Sequence, residues 1–380
     1  MNRSSQTVSP LAVTALALFL GAAQLAGQEV AEWSISDDPE LEIGVVEGPP
    51  EYMFSSIRGI RLLSDGRIVV GDRDDATLRI YDESGSYQRT IGRQGEGPGE
   101  FLGISGVFVR PPDTIQVWDA SLARMTIVRA DGSLVGTERF DPAQPGGPGG
   151  GVIDGFAGVF RDGDVALSWT IGGPGEAEEV LPDRTAFGRF SREGSLRHLM
   201  GQGEGLHRFR RQPDPFSPFP HAVMVADSVY FTNGVDGRIA VLDPDGGGVV
   251  RTFEVSAPSV PAEEAWSALR EVLHEDGRES VLERMPPPQL QHTPALAGMV
   301  ADGADRIWAK VYDPTSDSVY LGPPPGTGGE WWVLSPEGRI LASVAMPDNV
   351  TPVWIEGDQL LAIARGPFDV ERVFVHTIAR

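Results

Sequence analysis

The chain has 380 residues and a formal net charge of −23, from 54 acidic against 31 basic side chains. That excess repels phosphate backbones and anionic membrane surfaces, so neither nucleic acid nor an acidic lipid surface is expected as a partner. Cysteine is absent, which excludes disulfides, thiolate nucleophiles and zinc–thiolate sites.

Taken in chain order, the first element is a leader. Arg3 precedes an apolar run from Leu11 to Ala23, and Leu25-Ala26-Gly27 stands before Gln28. This is the pattern of a secretory signal over residues 1–27, shorter than the ~18 apolar residues of a membrane span. The remainder, 28–380, holds no candidate span and is expected to be exported, to the periplasm or beyond, as a soluble monomer.

The next elements repeat. Ile57 to Leu63 reads as strand A, Ser64-Asp65-Gly66 as a turn, Arg67 to Val70 as strand B, Leu78 to Tyr81 as strand C, Glu83-Ser84-Gly85 as a second turn, and Tyr87 to Ile91 as strand D. The apolar runs are β-formers and the turn residues accept tight turns without strain. The first turn returns as Pro112-Asp113, Asp162-Gly163, Ala226-Asp227, Asp302-Gly303 and Gly357-Asp358; the second as Asp131-Gly132, Glu193-Gly194, Asp245-Gly246 and Glu337-Gly338. Strand A then starts near Ile57, Ile104, Ile153, Ala222, Ala295 and Thr351. These starts lie roughly 45 to 75 residues apart, and a minimal four-stranded blade needs about 40. The predicted fold is an all-β six-bladed propeller of four-stranded antiparallel blades.

The last copy ends three strands into its blade. Leu41 to Phe54 echoes Arg89 to Phe101, each carrying a strand D, an Ile-Gly, a Glu-Gly-Pro turn and an aromatic before the next strand A. The N-terminal strand is therefore expected to complete blade six and close the ring, which removes its open edges. A further echo, Met200 to Phe209, is expected to lead as a loop from blade three to blade four.

The stretch Gly95-Glu96-Gly97-Pro98-Gly99-Glu100-Phe101, the Asp72 and Leu78-Arg79-Ile80-Tyr81-Asp82 pattern, and Gly237-Arg238-Ile239-Ala240-Val241-Leu242-Asp243 resemble the NHL-repeat type of six-bladed propeller. The resemblance implies the architecture rather than an activity. In related six-bladed enzymes, inward acidic and amide oxygens at the channel mouth hold Ca²⁺; a cation here would fall to Asp72, Asp119 and Asn233, although the matching Glu is missing and a cationic side chain is nearby. Hard cations require such oxygen ligands. The same residues read equally as caps on loop backbone.

Short A-to-B and C-to-D turns occupy one face of a propeller, and the B-to-C and D-to-A connections the other. Every long excursion falls in the second class: 142–151, 172–183, 201–220, 258–294 and 313–330. That loop-rich face is the expected functional one. Aligned ends of strand B nominate Asp72, Asp119, Trp169, Asn233, Lys310 and Arg365 at the channel mouth, with Arg73, Asp74 and Asp236 on its rim. A basic patch, His207, Arg208 and Arg210, with Phe216 and Phe219 nearby, is a candidate partner contact or a balance to local carboxylates.

The excursion at about 259–290 holds the one convincing helix, with Glu263 and Glu264 in its first turn and Trp266, Leu269, Val272 and Leu273 at helical spacing. It packs sideways on the ring or forms a lid, and Trp266 is a further candidate contact. No nucleophile elbow, zinc-protease helix or phosphate loop is present. The expected role is an exported, non-catalytic protein that binds a small molecule or a protein through its loop-rich face. The alternative is a metal-dependent hydrolase or lyase of the lactonase and strictosidine-synthase-like group.

Overall fold

Turn chemistry and strand alternation produce six radial blades in the computed structural model, which describes residues 30–110, 112–140, 153–171, 181–209, 212–321, 327–366 and 370–380. The leader at 1–27 lies outside the described residues. In blade one the strands are Ile57–Leu62, Ile68–Asp72, Thr77–Tyr81 and Tyr87–Ile91. Blade two comprises Ile104–Arg110, Thr114–Asp119, Arg124–Arg129 and Leu134–Arg139. Blade three comprises Ile153–Val159, Val165–Ile171, Leu181–Phe190 and Leu196–Phe209, with Gln212–Pro213 added at its edge. His221–Val225, Ser228–Thr232, Arg238–Leu242 and Val249–Glu254 make blade four. Blade five is Leu296–Ala301, Ile307–Val311, Gly329–Leu334 and Ile340–Met346, and blade six opens with Val350–Glu356, Gln359–Arg365 and Glu371–Ala379.

The fourth strand of blade six is N-terminal, as expected: β2 (Leu41–Ile43) runs antiparallel to Glu371–Ala379, with Leu41 opposite Val375 and Ile43 opposite Val373. A strand that the repeat pattern does not predict precedes it. β1 (Ala31–Ile35) lies parallel to Ile340–Met346 on blade five and touches the end of Glu371–Ala379 on blade six, so the two blades share one nine-stranded sheet. Trp33 of β1 packs at a tilt against Trp308, and the Arg306 and Arg380 guanidinium carbons each sit 5.0 Å from its ring centre.

The core sits between the blades. A central strand such as Ile68–Asp72 is buried on both faces, so adjacent residues serve opposite neighbours: Val69 joins the cluster shared with blade two, Val70 that shared with blade six. Each of the six interfaces has its own apolar cluster, including the one between blades six and one that closes the circle. Full burial of one such side chain contributes roughly 1.5–3 kcal/mol. Blades one and two meet so closely that a Cβ on Gly59 would lie 2.9 Å from the Val107 backbone nitrogen.

The segment after Met200 corrects the expectation of a loop. Residues 201–209 continue strand D, paired with an extended strand C through Thr185 opposite Gly203 and Pro182 opposite His207. Its glycines provide close approach to blade four. A Cβ on Gly203 would lie 2.1 Å from the Phe231 ring, and one on Gly201 would lie 3.0 Å from the Leu242 side chain.

Between blades four and five stands the helical insertion, α1 (Ala262–Glu275) and α2 (Glu279–Leu282). Glu263 and Glu264 occupy the first turn of α1, as the dipole favours. Its buried stripe, Ala262, Ala265, Leu269 and Leu273, packs with Phe216, Met285, Ala297, Tyr312 and Leu321, so the insertion is docked on the loop-rich face.

Candidate functional site: the central channel

On the loop-rich face, the nominated polar residues satisfy their own loops. Asp72 accepts hydrogen bonds from the backbone N–H of Ser55 (2.9 Å), Ser56 (3.1 Å) and Asp75 (3.4 Å). Asp119 does the same one blade on, from Leu102 (2.7 Å), Gly103 (3.2 Å) and Leu122 (3.0 Å). Both carboxylates thus tie the incoming D-to-A connection to the outgoing B-to-C turn, and the two are spread across successive blades. Asn233 caps Val235 N–H at 3.1 Å, with its amide 3.4 Å from Glu204. Among the described residues no three His, Asp or Glu side chains converge as a metal cluster.

The remaining candidates are also engaged. Trp169 is buried in the core between blades two and three, against Phe190, and not at a rim. Lys310, fully buried, donates to Asp317 (2.5 Å) and to the Thr327 carbonyl (2.6 Å). Burial raises the Asp317 pKa while the Lys310 cation opposes the rise. Arg365 donates to Glu371 at 2.8 Å, and Glu371 also accepts from Ile57 N–H at 2.5 Å, linking blades six and one. Asp236 pairs with Arg238 at 2.5 Å; Arg73 and Asp74 are exposed. His207 lies 3.5 Å from Glu204 and Arg208 donates to Asp183 at 2.7 Å, while Arg210 falls outside the described residues. Trp266, on α1, packs edge-on to Phe216. Asp214 locks this assembly by accepting from the backbone N–H of Phe216 (2.9 Å), Gln289 (2.5 Å) and Leu290 (3.1 Å).

The concave site lies along the axis instead. A cavity of about 1020 Å³ is lined by strand A of all six blades and by A-to-B turn residues including Ser64, Asp113, Asp227, Asp305 and Glu356. It therefore reaches the face of the short turns, and none of the nine residues nominated for the channel mouth and rim lines it. Its walls mix apolar and polar surface, with Phe108, Phe156, Trp354, Met224 and Met299 alongside three arginines, Arg58 and Arg61 on strand A of blade one and Arg161 in the A-to-B turn of blade three.

A bulge repeated in the A strands shapes these walls. The A–B register slips at Ile57/Gly59, Ile104/Gly106, Ile153/Gly155 and Leu296/Gly298, so an extra residue opposes one partner residue. The bulged residue between the apolar position and the glycine is Arg58 in blade one, Ser105 in blade two and Ala297 in blade five. This apolar-x-Gly phrase, with Arg58 at x in blade one and Asp154 at x in blade three, is a signal legible in the sequence that the loop-centred reading missed. Arg61, three residues on, has its guanidinium carbon 4.8 Å from the Trp354 ring centre and 5.3 Å from that of Phe108. Burial pushes its pKa down to about 10, which leaves it cationic at neutral pH.

Six four-stranded blades around a ligand-sized axial cavity define an NHL-like six-bladed β-propeller. Residues 46–143 match the DUF5128 family profile, described as a 6-bladed beta-propeller. Among solved structures, a member of the DUF4221 family from Bacteroides vulgatus is 10% identical with a TM-score of 0.55, over 93% of this chain and 100% of that one. A virginiamycin B lyase from Staphylococcus aureus is 9% identical with a TM-score of 0.45, over 92% and 100%. A gluconolactonase from Xanthomonas campestris is 12% identical with a TM-score of 0.44, over 92% and 98%. No curated protein matches.

Proposed function

We propose that this chain is an exported binding protein that holds a small organic molecule in its central channel without transforming it. The observation that carries the reading is the axial cavity of about 1020 Å³, to which all six blades contribute apolar wall. Preformed concave apolar sites with a few polar groups are where small molecules bind. Export rests on the Arg3 and Leu11-to-Ala23 leader pattern. The oxygen atoms of Asp72 and Asp119, the foremost candidates for a catalytic cation, already accept backbone N–H groups. This supports binding over metal-assisted hydrolysis or elimination.

The test is a metabolite screen by native mass spectrometry on the wild type, on the plugging variants Ala222→Trp and Val300→Trp, and on Asn233→Ala at the loop-rich face. Hits are expected to vanish in the plugged proteins and survive Asn233→Ala. The same hits bound by folded plugged proteins would overturn the proposal.

A further inference from the structure

Among the described residues most charged groups near the ring interior are ion-paired, yet Arg58 and Arg61 are not. Each guanidinium makes one hydrogen bond, to the carbonyl of the preceding residue: Arg58 to Ile57 at 2.9 Å and Arg61 to Ile60 at 2.8 Å. Neither has a carboxylate within ion-pair distance among the described residues, and a guanidinium offers five donors. A chain with 54 acidic side chains had ample means to neutralise them. Both arginines, each part-buried, line the same cavity, where their unused donors are open to a ligand's acceptor atoms.

The surrounding wall says what accompanies the missing anion. Trp354, the Arg61 guanidinium and Phe108 form a stacked series, and Phe156 continues it with its ring centre 3.9 Å from that of Phe108. The series gives the cavity aromatic wall from blades six, two and three around Arg61 of blade one, which suits an aromatic ligand. At the opening acidic side chains outnumber the one arginine there, Arg161. Asp113 is held by the Ser64 N–H and hydroxyl, both 2.7 Å, and Asp227 by Arg161 at 3.4 Å. Asp305 and Glu356 add acid at the rim. An outer negative charge is repelled there, so a single inner anion is favoured over two.

We infer that Arg58 and Arg61 form a carboxylate clamp, and that the channel's ligand is an aromatic monocarboxylate with its acid group inward and its ring against Trp354, Phe108 and Phe156. The inference rests on the channel reading above and goes further by assigning the ligand's class. Guanidinium matches carboxylate geometry in two parallel hydrogen bonds, and stacked rings hold the guanidinium plane in place.

The experiment is calorimetric titration with 2-naphthoate, cinnamate and indole-3-acetate, their neutral amides, and 2,6-naphthalenedicarboxylate. At least one monoacid is expected to bind about tenfold or more tightly than its amide, the strength of a charge-assisted hydrogen bond, and more tightly than the dicarboxylate. Arg58→Met and Arg61→Met should each erase the preference of acid over amide, and Arg61→Lys, which retains charge but loses the planar fork, should reduce it. Should Arg61→Met not fold, Arg61→Lys and Arg58→Met decide the matter. Equal binding of acid and amide, an acid preference intact in the arginine variants, or no binding by any acid overturns the clamp. If only the clamp is wrong, plugging with Ala222→Trp still abolishes whatever binding the wild type shows; an unaffected plugged protein removes the channel reading itself.

Discussion

The two faces of the ring differ in an unexpected direction. The loop-rich face carries the long connections and the helical insertion, yet its charges are consumed internally: Asp72 and Asp119 by backbone N–H, Lys310 by Asp317, Arg208 by Asp183, Asp214 by three amides. The face of the short turns has no elaboration, yet behind it lies the cavity with two unmatched guanidinium groups. Loop length therefore measures how much chain a face must fasten down. Cationic groups without an acidic partner are what support the proposed ligand site.

The contrast can be broken first at its strongest fastening. Lys310→Met should destabilise the fold by about 3–5 kcal/mol, because it leaves the buried Asp317 carboxylate without its cation. The double variant Lys310→Met, Asp317→Leu should recover much of the loss in denaturant unfolding; a single variant as stable as the wild type would show that the pair holds nothing. Next, Asp214→Ala should cost about 2–3 kcal/mol by orphaning buried amides. It should also raise hydrogen exchange in α1 while leaving channel binding intact.

A pH effect follows at the start of strand A in blade four. The His221 ring is hydrogen-bonded to the Ala297 backbone, its Nε2 is enclosed without a partner, and burial pushes its pKa down from 6.5 to about 4. The unfolded chain therefore binds a proton that the folded one refuses. The stability contribution is complete above pH 6.5 and is lost as pH falls from there towards 4. Half-burial of the residue as a whole keeps the loss on the order of 2 kcal/mol. Comparing His221→Asn with the wild type by unfolding at pH 7 and pH 4.5 isolates this from carboxylate titration; parallel losses in both proteins would refute it. The smallest effect belongs to the channel. Arg58→Met should change stability by no more than about 1 kcal/mol, because lost hydrogen bonding and relieved desolvation oppose each other, even as ligand preference disappears.

Much of the ring was legible because its punctuation is chemical. Asp-Gly and Glu-Gly turns separate β-forming runs, and all the turns read from the sequence fall between observed strands. The closing role of Leu41–Ile43 was legible through its echo of the blade-one connection. Three features escaped for physical reasons. β1 is short, and its partners at Ala342–Ala345 and Ile378–Ala379 lie more than three hundred residues away, so no local pattern announces it. The glycines at 201 and 203 resemble loop residues, whereas their role is to admit Leu242 and Phe231 at close range. Asp72 and Asp119 stand where a cation site would put them, and only their distances to backbone nitrogen show the oxygens already occupied.

The pairing of β1 and β2 with strands ending near residue 379 has a consequence for biogenesis. The strands β1 and β2 must wait, unpartnered, until nearly the whole polypeptide has been synthesised, because such distant contacts form late. Blades one to four can assemble from neighbours as they emerge, but the circle is sealed only by the final stretch, so a truncated product would carry exposed β-edges at both ends. A chain interrupted before its last blade is thus marked for aggregation or proteolysis, and release of the complete polypeptide is what brings its two termini into register.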